Sequence, residues 1–497
     1  MATKLSALKE RLAEVNALHA ATAIMDWDQQ TFMPKGGATA RAQHTSLLSK
    51  MGHERFTADE TGTLIEQAAK EVESGSDDAA MLRVVKRDFD QSTKLPTSLV
   101  AEKSKLASEA HELWVVARAN KDFKTFAPTL EKMFDFARQE AECFGYKNHI
   151  YDALIDNYEE GTTTADCAAM FEQLKANTVE LVKDIQTNGR DIDDHALYGD
   201  WDVDRQKRFT EMLIRDIGFD MDRGRQDTAP HPFCTGWSVG DIRLTTRYKD
   251  YIGSAIFGSL HEAGHGMYEQ GSPQEWDCTP LAGGVSLGVH ESQSRLWENI
   301  IGRSKPFWRR YLQSLQSEFH PISAFRVDEF YCMINKVEPS FIRVEADEVT
   351  YNLHVMVRFE LECEILSGKL KVCDLPEAWN AKYKDYLGVE VTDDGVGCLQ
   401  DVHWSMGSIG YFPTYSIGNL LSYQIWRALQ KEIPSTDELI ETGKFSVILD
   451  WLRSNVYSKG RKLTPKELVV AVTGRPLTAD DYIAGINEKY RAIYMLD

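Results

Sequence analysis

The chain has 497 residues, of which 43% are hydrophobic and 10% aromatic, so it can bury a large core and global disorder is excluded. The formal net charge of −20 argues against a nucleic-acid partner, because binding phosphates requires a basic face and the lysines and arginines form no long clustered run. The acidity also favours solubility and disfavours contact with anionic membranes.

The N-terminal residues predict a charged amphipathic helix and lack the apolar segment of a secretory signal. No run approaches about 18 consecutive apolar residues, so we expect no membrane span. The cysteines are scattered, with no C-x-x-C pair, and predict reduced thiols rather than a disulfide framework. Together these features predict a cytoplasmic location.

Helical periodicity predominates along the chain. Apolar residues recur at spacings of three and four, which is typical of amphipathic helices. The predicted helical stretches are 3–25, 40–52, 78–145, 165–220, 300–320, 350–387, 417–432 and 445–457.

Strand patterns are few. Apolar and polar residues alternate over 242–248 and over 285–289, which predicts two short strands on either side of the segment around His261. No linker, repeat or low-complexity tract interrupts the chain. We therefore predict a mainly α fold: one large helical domain over 1–497, with two lobes around a cleft and a small β-sheet near His261.

The most informative pattern is His261-Glu262-Ala263-Gly264-His265, an H-E-x-x-H motif. Residues four apart share one face of a helix, so both imidazoles can reach one ion. Glu262 follows the first histidine and can lean towards a water on that ion. Zinc prefers nitrogen ligands in a tetrahedral shell, so the motif predicts a zinc site. The alternative is a helix with two hydrogen-bonded core histidines.

A catalytic zinc site needs a third protein ligand and an open position. The metzincin extension requires glycine and histidine where this chain has Tyr268 and Gly271, so that class is excluded. Glu269 lies two turns beyond His261 on the same helix and would have to bend back to the ion. We therefore predict Glu291 as the third ligand; the alternative is a solvated acid at a helix start.

H-E-x-x-H on a helix is typical of zinc metallopeptidases, so we predict that the chain hydrolyses peptides. Besides the metal, peptide hydrolysis needs a group that accepts the proton of the attacking water and hydrogen-bond donors for the developing negative charge. Glu262 can take the proton of the attacking water. His403, Tyr411 and Tyr415 lie in a glycine-containing segment and offer donors to an oxyanion, with ordinary packing as the alternative for each.

A peptidase that trims C-termini must also hold a free carboxylate, which arginine does best through two parallel hydrogen bonds. Arg343 and Arg243 are the candidates for this contact. A structural ion pair with a neighbouring acid is the alternative for both.

Six motifs follow one another along the chain: His231-Pro232-Phe233, Asp241-x-Arg243-x-Thr245, His261-Glu262-x-x-His265, His290-Glu291-Ser292-Gln293-Ser294, Ile342-Arg343-x-x-Ala346-Asp347 and Gly397-x-x-Gln400-Asp401-x-His403-Trp404. An N-terminal segment, Trp27-Asp28 followed by Met33-Pro34-x-Gly36-Gly37, precedes them. In this order the motifs resemble the M32 family of metallocarboxypeptidases, the thermostable-carboxypeptidase-like peptidases. The resemblance covers nearly the whole chain.

The resemblance implies a largely helical fold with a deep groove, assembled as a homodimer. It implies an enzyme that releases C-terminal residues one at a time with broad specificity, and that disfavours an acidic C-terminal residue or a penultimate bond to proline. By the same resemblance His261, His265 and Glu291 would bind the metal, and Glu262 would be the general base.

The resemblance also implies roles for the residues around the metal. Arg343 would hold the C-terminus of the substrate, with Arg243 as the other candidate. His403 and Tyr415 would stabilise the tetrahedral intermediate, and Tyr411, the alternative to Tyr415, would contact the substrate.

Two other functions fit the same residues: a zinc oligopeptide endopeptidase and a non-catalytic peptide-binding protein. Zinc suits the ligands, and Co²⁺ or Mn²⁺ could occupy the same set. The expected partners are peptides with a free C-terminus and a second copy of the chain, with no nucleic acid and no membrane.

Overall fold

The computed structural model of the protein describes residues 3–496. Helices dominate this range, as predicted. Those that precede the sheet are α1 (Lys4–Thr31), α2 (Ala38–Thr57), α3 (Asp59–Ala68), α4 (Asp77–Lys94), α5 (Thr97–Asn120), α6 (Phe123–Phe144), α7 (Ile150–Ile155), α8 (Thr164–Asn188) and α9 (Val203–Asp216).

The strands and the remaining helices follow in one series. The strands are β1 (Gly224–Thr228), β2 (Cys234–Ser238) and β3 (Asp241–Thr246). The later helices are α10 (Gly253–Gln270), α11 (Leu287–Arg295), α12 (Lys305–Glu318), α13 (Val327–Met333), α14 (Tyr351–Leu366), α15 (Leu375–Leu387), α16 (Pro413–Glu432), α17 (Thr436–Glu441), α18 (Phe445–Asn455), α19 (Pro465–Thr473) and α20 (Asp480–Tyr494). Within 3–496, no helix combines the length and apolarity needed to cross a bilayer.

Three of the long predicted helical stretches, 78–145, 165–220 and 350–387, are divided in the structure, the last of them into α14 and α15. The stretch 78–145 forms α4, α5 and α6. Pro96 precedes α5 and has no N–H with which to continue α4. Lys121 ends α5 in the left-handed conformation, with φ of 58°. The stretch 165–220 divides after α8 at Gly189, where the backbone becomes extended.

The three strands form one sheet in the order β1–β3–β2, with β1 parallel and β2 antiparallel to β3. Ile242 and Leu244 of β3 are buried and share a hydrophobic cluster with α10. Gly266 of α10 allows this close approach, because an added Cβ would lie 2.8 Å from the Leu244 side chain. The prediction of a small sheet beside the H-E-x-x-H helix is therefore confirmed.

The strand predicted over 285–289 is wrong. Helix α11 begins at Leu287, and the Ser286 hydroxyl accepts a hydrogen bond from the Val289 N–H as its N-cap. Three alternating apolar residues are too few to outweigh this start signal. As a result Glu291 lies inside a buried helix rather than ahead of one.

Two large clusters of buried side chains form most of the core. Helix α16 contributes Leu420 and Tyr423 to one cluster and Leu421 and Ile425 to the other. It therefore lies between them, and its Gly418 packs against α11, where an added Cβ would lie 2.5 Å from the neighbouring side chain.

All eight cysteines are free, in agreement with the sequence prediction of scattered thiols. Only Cys167 and Cys398 are fully buried, whereas Cys278 and Cys373 are exposed. The fold therefore rests on packing and hydrogen bonding rather than on cross-links.

Candidate metal centre and active site

Helix α10 places His261 and His265 on one face, four residues apart. It packs closely on α11 at Gly264, where an added Cβ would lie 2.7 Å from the carbonyl oxygen of Gln293. A side chain at this position would push the two helices apart. Glycine thus keeps the histidine pair close to the helix that carries Glu291.

Glu291 faces both histidines. Its Oε2 atom lies 3.5 Å from Nε2 of His261 and 3.5 Å from Nε2 of His265. One donor atom from each of the three residues lies within 4.8 Å of the other two. The three predicted ligands therefore surround one point, which a single ion can occupy.

The carboxylate of Glu291 is oriented by its own helix. Its Oε1 atom accepts from Nε of Arg295 at 2.7 Å, and its Oε2 atom accepts from the Ser294 hydroxyl at 3.0 Å. Burial alone would raise the pKa of Glu291, but the charges of Arg295 and His261 outweigh it and hold the pKa well below its usual range. Glu291 is therefore an anionic donor whose Oε2 atom points to the histidines.

The second nitrogen of each histidine is also engaged. Nδ1 of His261 lies 2.9 Å from Oε2 of Glu298, which belongs to the π-helical turn that continues α11. Nδ1 of His265 lies 2.6 Å from Nδ1 of His290. Neither Glu298 nor His290 is assigned a role by the sequence, because the histidines they contact lie 37 and 25 positions away.

Glu262 is buried beside His261 on α10. Burial raises the pKa of Glu262 to about 7, against the opposing influence of His261. The carboxyl group can therefore take up and release a proton near neutral pH, as a general base requires.

A second polar cluster centres on Asp401. Nε and Nη2 of Arg343 donate to its Oδ1 atom at 3.0 and 2.8 Å, and Nη1 donates to the Tyr351 hydroxyl at 2.7 Å. Arg358 donates to the Oδ2 atom at 2.6 Å. The ionic partner of Arg343 is thus distant in sequence rather than a neighbouring acid. Two guanidinium groups around one carboxylate leave this cluster with a net positive charge.

His403, Tyr411 and Tyr415 adjoin this cluster. Nε2 of His403 lies 3.1 Å from the Tyr415 hydroxyl, and the Tyr415 ring lies 4.7 Å from the Arg343 guanidinium. The Tyr411 ring packs at 5.2 Å on His403 and at 5.3 Å on Tyr415. Burial, helped by the charge of Arg343, lowers the pKa of His403 to about 3, so its imidazole is neutral at neutral pH.

Tyr351 connects this cluster to the predicted metal ligands. Its hydroxyl accepts from Arg343, and its ring lies 4.6 Å from the guanidinium of Arg295, which in turn binds Glu291. The predicted ligands and the predicted His403 and Tyr415 pair are therefore parts of one connected site.

Arg243 has a different environment. Its Nε and Nη2 atoms donate to the two oxygens of Asp241, each at 3.0 Å, and its guanidinium lies 4.2 and 4.5 Å from the ring centroids of Trp27 and Trp237. Because alternate residues of β3 pack on α10, Arg243 projects from the opposite face of the sheet. It forms the structural ion pair that was its alternative in the sequence analysis.

Comparison with known proteins finds relatives over nearly the whole chain. A family model described as Carboxypeptidase Taq (M32) metallopeptidase matches residues 7–490. Thermostable carboxypeptidase 1 of Thermus thermophilus is 39% identical over 485 residues, which cover 95% of this chain and 95% of the relative.

Solved structures share the fold. The M32 carboxypeptidase of Deinococcus radiodurans R1 matches with a TM-score of 0.96 and 40% identity, covering 99% of this chain and 100% of the other. Metallocarboxypeptidase 1 of Trypanosoma cruzi matches with a TM-score of 0.94 and 33% identity, covering 98% of this chain and 99% of the other.

Proposed function

This chain belongs to the M32 family of metallocarboxypeptidases, and we propose that it is a zinc enzyme that releases C-terminal amino acids from peptides one at a time with broad specificity. The observation that carries the proposal is the position of the Glu291 Oε2 atom, 3.5 Å from both histidine Nε2 atoms. This arrangement supports His261, His265 and Glu291 as a His₂Glu ligand set.

The donor spacing is compatible with zinc. In a tetrahedral shell with ligand bonds of about 2.0–2.1 Å, neighbouring donors are about 3.4 Å apart, close to the observed 3.5 Å. Co²⁺ and Mn²⁺ accept the same donor types and remain alternatives. When bound, the ion polarises the scissile carbonyl and lowers the pKa of an attacking water.

Glu262 is the proposed general base. It takes the proton of the attacking water and delivers it to the nitrogen of the departing amino acid. Support comes from its position beside His261 and from burial, which raises the pKa of the Glu262 carboxyl to about 7 so that it can hold the proton between the two steps.

His403 and Tyr415 are the proposed donors to the tetrahedral intermediate. Each side chain carries a polar group on a packed aromatic ring, and Nε2 of His403 lies 3.1 Å from the Tyr415 hydroxyl. The low pKa of His403 keeps the ring neutral, so it donates a hydrogen bond without carrying a charge of its own.

Arg343 is the proposed contact for the substrate's C-terminal carboxylate, with Tyr411 beside it. The surplus positive charge of the Arg343, Arg358 and Asp401 cluster favours an incoming anion. Arg243 is the weaker candidate, because it contacts Trp27 and Trp237 and is balanced one-to-one by Asp241, whereas Arg343 adjoins Tyr415 and Tyr351 of the proposed site.

At the level of the whole protein, we propose one M32-type peptidase domain over 1–497, with two lobes around a cleft, acting in the cytoplasm as a homodimer. The two large hydrophobic clusters on either side of α16 support the two lobes. Peptides with a free C-terminus are the proposed partners.

A peptide time course followed by mass spectrometry tests the function. We expect stepwise loss of C-terminal residues, which stops when a chelator is added and resumes with zinc. The matched control is the same peptide with an amidated C-terminus, which should be cleaved far more slowly. Interior cuts that are indifferent to amidation would instead identify an endopeptidase, and no cleavage under any condition would identify a binding protein.

A further inference from the structure

His290 lies between His265, a proposed metal ligand, and the half-buried carboxylate of Glu269. Its Nδ1 atom lies 2.6 Å from Nδ1 of His265, and its Nε2 atom lies 2.6 Å from Oε1 of Glu269. From the sequence, Glu269 is only a poorly placed candidate for a metal ligand. In the structure the Glu269 carboxylate contacts His290, and His290 in turn contacts the proposed ligand His265.

The positions of the hydrogens along this chain of contacts follow from counting donors. If His265 offers Nε2 to a metal, its ring hydrogen is on Nδ1. Nδ1 of His290 must then accept that hydrogen, because two N–H groups cannot face each other at 2.6 Å. The remaining hydrogen of a neutral His290 is therefore on Nε2, where the Glu269 carboxylate accepts it.

The surroundings hold this chain of contacts in place. The Gly284 N–H donates to the same Glu269 oxygen at 3.2 Å. An added Cβ at Gly284 would lie 2.6 Å from Cδ2 of His290, so glycine is required for the imidazole to fit. The Tyr268 ring packs on His290 with centroids 5.2 Å apart.

The two proposed ligand histidines are thus supported in different ways. Glu298 contacts Nδ1 of His261 directly, whereas Glu269 reaches His265 only through His290. A carboxylate behind a metal-bound imidazole orients the ring and selects its tautomer. For His265, the carboxylate of Glu269 exerts this orienting effect through His290.

We propose that Glu269 and His290 form a hydrogen-bond relay that fixes His265 in the tautomer that presents Nε2 to the metal. His290 is a positioning residue, not a ligand. The proposal rests on the proposed role of His265 in metal binding. It predicts that metal affinity depends on the donor and acceptor of residue 290 rather than on its bulk.

The test compares His290→Gln with His290→Leu by chelator competition for zinc. A glutamine amide supplies an acceptor oxygen and a donor NH₂ group in place of the two ring nitrogens of a neutral imidazole, whereas leucine fills the space without either. We expect His290→Leu to raise the zinc Kd by about 10- to 100-fold and His290→Gln to restore most of the affinity. Equal affinities for the two variants would overturn the relay.

Glu269→Gln gives an independent measurement if the leucine variant fails to fold. It keeps an acceptor but removes the charge, so the zinc Kd should rise several-fold. In the His290→Leu background, where that variant folds, the same substitution should have no further effect, because the relay is already broken. An unchanged Kd for Glu269→Gln alone contradicts the proposal.

Two further measurements separate the possible failures. His265→Ala should abolish tight zinc binding; if it does not, the proposed ligand set is wrong, whatever the result at residue 290. The visible absorption of the cobalt-loaded protein should change in His290→Leu and return in His290→Gln, because ligand orientation is affected rather than global stability. A Kd change without a spectral change would assign His290 a merely structural role.

Discussion

At the scale of single residues, each proposed donor atom is freed by a contact made elsewhere on the same side chain. His261 engages Glu298 through Nδ1, which leaves Nε2 for the ion. Glu291 engages Arg295 through Oε1, which leaves Oε2, bonded to the Ser294 hydroxyl, facing the two histidines. Because these outer contacts determine where the donors point, they determine the shape of the site as much as the ligands do.

Substitution of Glu262 tests its proposed role. Glu262→Gln keeps the size of the side chain but cannot accept a proton, so kcat should fall by about 10²- to 10⁴-fold. The zinc Kd should stay within about two-fold, because Glu262 is not one of the proposed metal ligands and its substitution leaves them unchanged. The control is Glu66→Gln on the exposed surface of α3. Full activity in Glu262→Gln would mean that another group takes the proton.

Two arginine substitutions decide which guanidinium binds the substrate. Lysine keeps the charge but loses the parallel donors, so Arg343→Lys should lower kcat/KM by about 10- to 100-fold, equivalent to one charge-assisted hydrogen bond. Arg243→Lys is the matched comparison and should have a smaller effect. Thermal unfolding of both variants checks that the fall in kcat/KM does not come from destabilisation of the fold through loss of the ion pair with Asp401 or Asp241. The opposite ranking would assign the contact to Arg243.

At the scale of secondary-structure elements, the site depends on how closely α10, α11 and α16 approach one another. Gly264 allows α10 to lie on α11, and Gly418 allows α16 to lie directly on Glu291. A Cβ at Gly418 would be 2.5 Å from Cβ of Glu291, which no real contact tolerates. Close packing of this kind transmits a small displacement directly to Glu291, the proposed ligand.

A methyl group at Gly418 should therefore disturb the metal centre. We expect Gly418→Ala to destabilise the fold by about 1–3 kcal/mol through overpacking, and to weaken zinc binding. Gly258→Ala is the control in α10, because its added Cβ would meet only Thr246 Oγ1 at 3.8 Å. It should be neutral or stabilise by up to about 1 kcal/mol. Denaturant unfolding and chelator competition measure both effects, and equal behaviour of the two variants would contradict the packing argument.

Local sequence patterns predicted secondary-structure elements well where the apolar pattern was long and periodic. Helices such as α1, α6, α8 and α16 and the strand β3 follow from apolar spacing, and the pairing of His261 with His265 follows from the helical repeat. The helices α3, α19 and α20 lie outside every predicted stretch. The segment 285–289 was misassigned because three alternating residues carry little information, whereas the Ser286 cap decides the start of α11. Glu298 was missed because its partner His261 lies 37 positions away.

At the scale of the whole molecule, buried carboxyl groups connect distant parts of the chain. Glu159, between α7 and α8, accepts from the Ser286 hydroxyl at 2.8 Å and from the Gly288 N–H at 2.9 Å, at the start of α11. Burial raises the pKa of Glu159 to about 7, although these hydrogen bonds oppose the shift. Such contacts depend on tertiary structure and have no signature in a single sequence.

This raised pKa predicts how stability varies with pH. Between about pH 4.5 and 7 the folded protein retains a proton on Glu159 that the unfolded chain releases, so the free energy of unfolding contributed by this group falls as pH rises. The full effect is of the order of 3 kcal/mol. Glu159→Gln cannot ionise and should show a smaller fall between pH 5 and 7, measured by denaturant unfolding of the metal-free protein. The exposed Glu66→Gln variant should keep the wild-type slope; an equal slope in Glu159→Gln would contradict the assignment.

The central claim is that His261, His265 and Glu291 bind one zinc ion. Anomalous diffraction at the zinc absorption edge, from crystals grown with zinc, tests it most directly. We predict one strong peak at about 2.0–2.2 Å from the two histidine Nε2 atoms and the Glu291 Oε2 atom, with His290 and Glu269 outside bonding distance. A peak bonded to His290 or Glu269, or no peak between α10 and α11, would contradict the claim.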